Sequence, residues 1–256
     1  TGGLYGRTTY EIKLSPFTLK ETEEFLQSRE IKMSRYDIAQ CNMILGGIPY
    51  YLGYLTKSHS LAQNIDSLFF SSKPKLHNEF DRLFASVFKN PDVMKKIIRL
   101  LATRHSGFTR KEIISKLEFV EGGDITSLLE ALIASDFIVK YTPFGKSTRD
   151  DHYRLIDPFC LFYLKYVAGK NVIDSNFWTN NQLSQSVVSW RGIAFEDLCI
   201  RHMSQIKSAL GISGVITSQS NWIVPSTDDE QGMQIDLMVI RNDNVVNMCE
   251  MKFYNE

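Results

Sequence analysis

Two short apolar runs near the end of the sequence, separated by a polar turn, constrain the fold most strongly. The runs lie at 233–240 and 245–253, and Arg-Asn-Asp-Asn occupies 241–244 between them. Apolar runs of this length that flank turn residues are typical of antiparallel strands that pair directly. We therefore expect a hairpin here, preceded by a further strand near 213–224.

The expected hairpin brings two acidic residues and a lysine to one surface. Alternate residues of a strand share a face, so Asp236 on the first strand should lie near Glu250 and Lys252 on the second. Mg²⁺ prefers carboxylate oxygens as ligands, and such a metal activates a bound water and polarises a phosphate oxygen. We expect Asp236 and Glu250 to bind Mg²⁺, and Lys252 to orient the attacking water and offset transition-state charge. Glu196, on the preceding helix, would be a further ligand or would orient a metal-bound water.

The same acid-x-Lys pattern also has a purely structural interpretation. Charged residues on an edge strand commonly face solvent or prevent pairing with another chain. The sequence leaves both interpretations open, a metal site or a solvated charged face.

The composition excludes some classes of protein. Lysine plus arginine and aspartate plus glutamate both number 29, so no overall positive charge indicates binding to nucleic acid, although a local basic face stays open. The four cysteines are widely spaced and form no Cys-x-x-Cys pair, which is typical of reduced thiols in a cytoplasmic protein. No run reaches about 18 consecutive apolar residues, so we expect no membrane span. The sequence has neither a signal-peptide pattern nor a Gly-x-x-x-x-Gly-Lys-Ser/Thr loop.

The middle of the chain predicts a winged helix-turn-helix. Helices are expected at about 92–104, 109–117 and 123–135, followed by strands at 137–141 and 152–156, which is the element order of that module. The third helix with the residue that follows it, 124–136, carries three acids and no basic residue, whereas a DNA-reading helix presents basic or amide side chains to base edges. We expect a structural or protein-docking module, with phosphate contact through neighbouring basic residues as the minor alternative.

Three short motifs occur near the start of the chain. They are Leu-Tyr-Gly-Arg-Thr at 4–8, Ile-Lys-Leu-Ser-Pro-Phe at 12–17 and Gly-Gly-Ile-Pro-Tyr-Tyr-Leu at 46–52. The paired glycines are expected to end one helix in the left-handed conformation, and Pro49 suits the first turn of the next.

The end of the chain, about 186–256, resembles the PD-(D/E)xK nuclease superfamily. The matching pieces are Phe195-Glu196 on a long helix expected at 189–210, Gln234-Ile235-Asp236 on the first strand of the hairpin, and Glu250-Met251-Lys252 on the second. The resemblance implies a core of a helix, a three-stranded meander, a further helix and a fourth strand. Because the sequence stops before the last helix and strand, we expect a truncated αβββ domain.

Taken together, the early motifs, the winged helix and the acidic strands resemble the archaeal-type ATPases of the AAA+/STAND class. That resemblance implies an upstream P-loop ATPase domain and ATP in the full-length protein, with no binding of ATP by this segment alone. It implies that Arg7 approaches the nucleotide phosphates as an arginine sensor, and that Gly47 and Pro49 belong to a lid beside the nucleotide. The structural alternatives are a surface arginine and a simple helix stop.

We therefore expect a multidomain α+β protein, a piece of a longer chain. Its units would be the end of an ATPase core with a helical lid at 1–72, a winged helix-turn-helix at 73–157, a connecting helix and linker at 158–187, and an incomplete nuclease-like domain at 188–256. The favoured function is an ATPase-coupled, Mg²⁺-dependent act on DNA or RNA. The alternative is a non-catalytic regulatory or protein-interaction module with a degenerate nuclease fold, and a third interpretation is a winged-helix DNA-binding regulator. A protein partner at the winged helix is also expected.

Overall fold

The computed structural model describes Tyr10 and residues 12–119, 123–169, 174–224 and 232–254. Within these residues the chain combines helices with two small antiparallel sheets, which agrees with the expected α+β class. Arg7, the expected nucleotide sensor, lies outside the described residues. None of the described helices has the length and apolar character that crossing a bilayer requires.

The first part of the described chain is helical. Its helices are α1 (Leu19–Ser28), α2 (Arg35–Leu45), α3 (Pro49–Leu52), α4 (Leu61–Phe69) and α5 (Glu79–Val87). Thr18 begins α1 with a capping box, in which its hydroxyl accepts from the Glu21 amide and its own amide donates to the Glu21 carboxylate at 2.8 Å. Gly46 ends α2 in the left-handed conformation, and Pro49 begins α3. The residue types at these positions account for the helix ends.

The middle of the chain contains helices and a hairpin in the expected order. The elements are α6 (Pro91–Leu101), β1 (Phe108–Thr109), α7 (Arg110–Leu117), α8 (Gly123–Ala134), β2 (Ile138–Tyr141) and β3 (His152–Leu155). The strands form one antiparallel sheet in the order β1-β3-β2, with Lys140 opposite Tyr153. We refer to residues 91–155 as the hairpin unit, and its identity as a winged helix-turn-helix stays a prediction.

The last part of the chain contains more helices and a second antiparallel sheet. The elements are α9 (Pro158–Tyr166), α10 (Phe177–Asn180), α11 (Gln185–Arg201), α12 (Met203–Ala209), β4 (Thr217–Val224), β5 (Met233–Arg241) and β6 (Val246–Cys249). The strand order β4-β5-β6 contains the expected hairpin and the strand before it. We refer to these three strands as the C-terminal sheet.

The single long helix expected at 189–210 is divided at His202. The ring Nδ1 of His202 bonds to the Leu198 carbonyl at 2.8 Å, and its Nε2 accepts a hydrogen bond from the Leu19 amide at 3.0 Å. The second bond ties the end of α11 to the start of α1. Local sequence could not indicate this break, because the partner lies 183 positions away.

One continuous apolar core joins the first helices, the hairpin unit and α11. The helix α9 contributes aromatic side chains to it, and Phe159 and Phe162 are fully buried. A smaller cluster lies between α12 and the C-terminal sheet, where Leu237 and Val239 pack with Met203. One face of β5 is therefore committed to this packing, and Asp236 lies on the opposite face together with Met238, which is itself buried.

Candidate functional site

Asp236 on β5 lies opposite the residue that directly follows β6. The last pair in the register joins Leu237 and Cys249, where β6 ends, so Glu250 and Lys252 lie after the second strand, whereas the sequence predicted them on it. The Asp236 carboxylate reaches the chain after β6, where its Oδ2 accepts a hydrogen bond from the Met251 amide at 3.0 Å. The register thus brings the two proposed metal ligands to the same end of the hairpin.

Lys252 forms an exposed ion pair with Glu250. The charged groups are 2.6 Å apart, and the two side chains are 55% and 72% exposed. The hydrogen bond and the charge of Glu250 raise the pKa of Lys252, and Asp236 adds to this effect. Lys252 therefore carries a positive charge close to both acids, and this charge already offsets the negative charge of Glu250.

Glu196 lies in α11 near Asp236, largely covered by protein. Its side chain is 16% exposed, and its Oε2 is 4.0 Å from Nδ1 of His105. Burial raises the pKa of Glu196, His105 partly opposes that shift, and the negative charge of Asp236 raises the pKa further. The four predicted site residues are thus linked by their charges: Asp236 acts on both Glu196 and Lys252, and Lys252 pairs with Glu250.

A buried ion pair beside this group was missed by sequence reasoning. Arg154 on β3 donates from Nη2 to Oδ1 of Asp197 on α11, and the two residues are 6% and 1% exposed. His105 Nε2 lies 3.6 Å from the same oxygen. Asp197 follows Glu196 directly in the sequence, but no local pattern links it to an arginine 43 positions earlier.

Three atoms of this cluster are buried without a hydrogen-bond partner. They are Asp197 Oδ2, Arg154 Nε and His105 Nε2. Buried polar atoms are nearly always satisfied by protein or water. The seam between the hairpin unit and α11 is therefore the part of the described chain where a water or ligand atom is most expected near the proposed site.

A cleft of about 430 Å³ lies between the hairpin unit and the C-terminal sheet. Its lining includes Lys140, Tyr141, Arg154, Gln219, Ser220 and Asp236. Asp236 therefore faces a space large enough for a small ligand, and the buried arginine lines the same space.

Several basic side chains of the hairpin unit are already paired. Arg104 binds the Glu112 carboxylate at 2.8 Å, and Lys140 lies 2.8 Å from Asp151. Arg110 donates to the Thr126 hydroxyl at 3.1 Å. The two ion pairs offset the charges of Arg104 and Lys140. The ion pairs give no support to the third interpretation, a DNA-binding regulator.

The lid residues expected from the sequence have structural tasks. Gly47 has φ +70, and a Cβ added there would lie 2.3 Å from the Phe17 carbonyl oxygen. The Phe17 amide also donates to the Gly47 carbonyl at 2.8 Å, so the backbones approach too closely for a side chain. Pro49 occupies the first turn of α3. The contacts of Gly47 and Pro49 account for their residue types, and their nucleotide role stays a prediction.

Asp236 and Glu250 are the magnesium ligands expected from the sequence. Among the residues that the structure describes, no group of three or more His, Cys, Asp or Glu side chains is arranged to hold a metal ion. Mg²⁺ is commonly held by one or two carboxylates together with waters and substrate phosphates. Asp236 and Glu250, which the register brings to the same end of the hairpin, would provide this smaller set with Glu196 in support, and magnesium binding here stays a prediction.

No family model, curated protein or solved structure matches this chain. The resemblances to AAA+/STAND ATPases and to PD-(D/E)xK nucleases therefore stay predictions.

Proposed function

We propose that this chain carries a Mg²⁺-dependent site that cleaves phosphodiester bonds in DNA or RNA, as the C-terminal part of an AAA+/STAND-like ATPase. The observation that carries the proposal is the electrostatic grouping of Glu196, Asp236 and Lys252, with Glu250 beside the lysine. Glu196 has a pKa raised by burial, and a titratable group perturbed in this way is a common feature of functional sites. A magnesium ion held there would activate a water molecule and polarise a phosphate oxygen.

Each side chain has a separate task in such a site. Asp236 presents a carboxylate that is oriented by the Met251 amide and lines the cleft. Glu196 has a raised pKa because it is buried, so it is suited to accept the proton of an attacking water. Lys252 would offset the negative charge that develops on the phosphate.

The ATP-binding part of the proposal rests on the resemblance of the N-terminal motifs. ATP would be bound by the upstream P-loop domain, with Arg7 near its phosphates. The turn at Gly46 and Gly47 is connected to α11, since Arg201 donates to the Gly46 carbonyl at 2.8 Å. A movement of this turn would therefore displace α11, the helix that carries Glu196.

The decisive experiment is a cleavage assay on labelled single- and double-stranded DNA and RNA with Mg²⁺ or Mn²⁺. We expect Asp236→Asn and Lys252→Met each to reduce the rate by at least about 100-fold. Two variants serve as controls. Asp243→Asn changes another acid of the same hairpin, and Lys57→Met removes an exposed ion pair elsewhere, in which Lys57 lies 2.6 Å from Glu30. Both controls should keep wild-type rates, and equal rates in all five proteins would refute the catalytic assignment.

A non-catalytic interaction module is the second candidate. It is favoured by the exposed pairing of Glu250 with Lys252 and by the hydrogen bond that Asp236 already accepts from the backbone. Titration calorimetry with Mn²⁺ separates the two candidates. Binding that is lost in Asp236→Asn supports the metal site, and no binding by the wild type supports the interaction module.

A further inference from the structure

The cleft between the hairpin unit and the C-terminal sheet has the size of a ligand site. Its volume of about 430 Å³ falls within the range of about 300–1,000 Å³ that small-molecule pockets occupy. Ser220 on β4 donates a hydrogen bond to the Thr142 carbonyl at 3.0 Å, so the two walls are held together. The cleft is thus a defined feature of the fold, and Asp236 lies among its lining residues.

The charged groups of the cleft are largely balanced within its walls. Lys140 pairs with Asp151 at 2.8 Å, and Arg154 pairs with Asp197. Asp236 adds a further carboxylate. Because these acids offset the basic groups, a bare phosphate or another small anion is poorly matched to the cleft. An uncharged polar ligand is the better match.

Arg154 brings a buried hydrogen-bond donor to the wall of the cleft. Its side chain is only 7% exposed, and its Nε is buried without a hydrogen-bond partner. Since leaving a buried N–H unsatisfied is unfavourable, an enclosed water is the expected acceptor. Hydrogen bonds to a ligand in the cleft therefore come from other lining residues.

An aromatic side chain and two further polar ones complete the lining. Tyr141 is anchored because its hydroxyl donates to the Ser106 carbonyl at 2.7 Å. Thr217 and Gln219 line the cleft from the C-terminal sheet. An aromatic ring beside hydrogen-bonding groups is the combination with which proteins hold unpaired nucleobases, by stacking and by contacts to the base edges.

We propose that this cleft holds one unpaired nucleobase of a single-stranded nucleic acid, next to Asp236. The inference deepens the proposed function and rests on it only where it places the reacting phosphate at Asp236. Bases inside a duplex are paired and stacked, so a cleft that receives one base selects single strands, frayed ends or extruded nucleotides. The acidic third helix of the hairpin unit agrees with this, because it does not suit readout of duplex DNA.

The test measures binding without cleavage, by fluorescence anisotropy of a labelled oligothymidine of about 12 nucleotides, a length within the range of single-strand sites. EDTA is present throughout, so the result does not depend on a metal or on turnover. We expect the single strand to bind at least about 10-fold more tightly than the same sequence in a duplex. Binding should change little with salt, because base contacts rather than phosphate charges supply the affinity.

Two variants locate the bound base. Tyr141→Leu removes the aromatic ring and should weaken binding by about 10-fold. Gln219→Trp fills the cleft from an exposed position and should abolish binding without removing a buried contact. Tyr10→Leu removes a tyrosine that is 83% exposed and does not line the cleft, so it should bind as the wild type does. Circular dichroism confirms that each variant is folded.

Several outcomes would overturn the inference. Equal binding of duplex and single strand would show that the protein contacts only the charged phosphate backbone. Displacement of the labelled strand by inorganic polyphosphate as effectively as by unlabelled strand would show the same. If free nucleoside monophosphates displaced the labelled strand at the same concentrations as the unlabelled strand does, the cleft would be assigned to free nucleotides instead. Wild-type binding by the folded Gln219→Trp protein would place the strand elsewhere. Strand binding that is lost in the cleft variants, together with no cleavage under any metal, would keep this inference and reject the proposed nuclease.

Discussion

Replacing Arg154 by methionine should destabilise the protein strongly, because its partner is a buried carboxylate. Arg154 and Asp197 are 6% and 1% exposed and hydrogen-bonded to each other. Removing one member of such a pair leaves the other charge buried and uncompensated, which costs about 3–5 kcal/mol. His105 lies 3.6 Å from the same carboxylate oxygen, so some compensation remains. We therefore expect a loss of about 3 kcal/mol in the free energy of unfolding, the lower end of that range.

Urea unfolding, followed by tryptophan fluorescence and by far-ultraviolet circular dichroism, measures this loss. With a slope of about 3 kcal/mol/M, a loss of about 3 kcal/mol lowers the unfolding midpoint by about 1 M. The double variant Arg154→Met/Asp197→Leu removes both charges and should recover most of the stability, since an apolar replacement of a buried pair is often neutral. Lys57→Met breaks an exposed pair and should cost less than about 1 kcal/mol.

Two results would refute this reasoning. A loss below about 1 kcal/mol in Arg154→Met is the magnitude of a surface pair, and the carboxylate would then not be buried. A double variant as unstable as the single one would show that packing of the arginine stem, rather than charge, is responsible.

Three further changes test other parts of the fold. Gly47→Ala should cost about 2–5 kcal/mol in the free energy of unfolding, because it adds a clash with the Phe17 carbonyl to the strain of positive φ. Gly145→Ala is the matched control: it has φ +75 and nothing within 4 Å, so it should cost only about 1–2 kcal/mol. Equal losses in urea unfolding would contradict the close approach of Gly47 to Phe17. Asp66→Ala should cost about 2–4 kcal/mol, because this buried carboxylate accepts two amides and a hydroxyl at the start of α10, at 2.6 to 3.0 Å, and its midpoint measures the loss. Burial raises the pKa of Glu196 in the folded protein, so the folded state holds this proton more tightly than the unfolded chain does. The wild type therefore loses stability as the pH rises through the raised pKa of Glu196. Glu196→Gln should therefore raise the thermal midpoint relative to wild type at about pH 8 and not at about pH 4, and a pH-independent difference would contradict the shift.

Features set by neighbouring residues could be predicted from the sequence. The hairpin after 233 and the division of its faces follow from period-two alternation, and Leu237 and Val239 pack against α12 as that alternation requires. The register then places Asp236 and Glu250 together without further information. The residues of the hairpin alone are therefore enough to predict that Asp236 and Glu250 lie side by side.

Features set by distant residues could not be predicted. His105 and Arg154 belong to the hairpin unit, yet both contact the α11 carboxylates. The division of the long helix at His202 depends on an amide of α1. A one-dimensional pattern contains no signal for such contacts, because they depend on how elements pack against one another.

Glu196 and Asp197 are adjacent in the sequence but meet different surroundings. Successive side chains of an α-helix point in directions about 100° apart, so the two carboxylates face different neighbours. Asp197 is neutralised by Arg154 and fastens the hairpin unit to α11. Glu196 is largely buried, and burial raises its pKa; His105 lowers that pKa in part, and the negative charge of Asp236 adds a smaller rise. One carboxylate therefore serves the fold, and the other lies in a buried position that disfavours its charged form, so a cation bound beside it under the proposed function would stabilise that form.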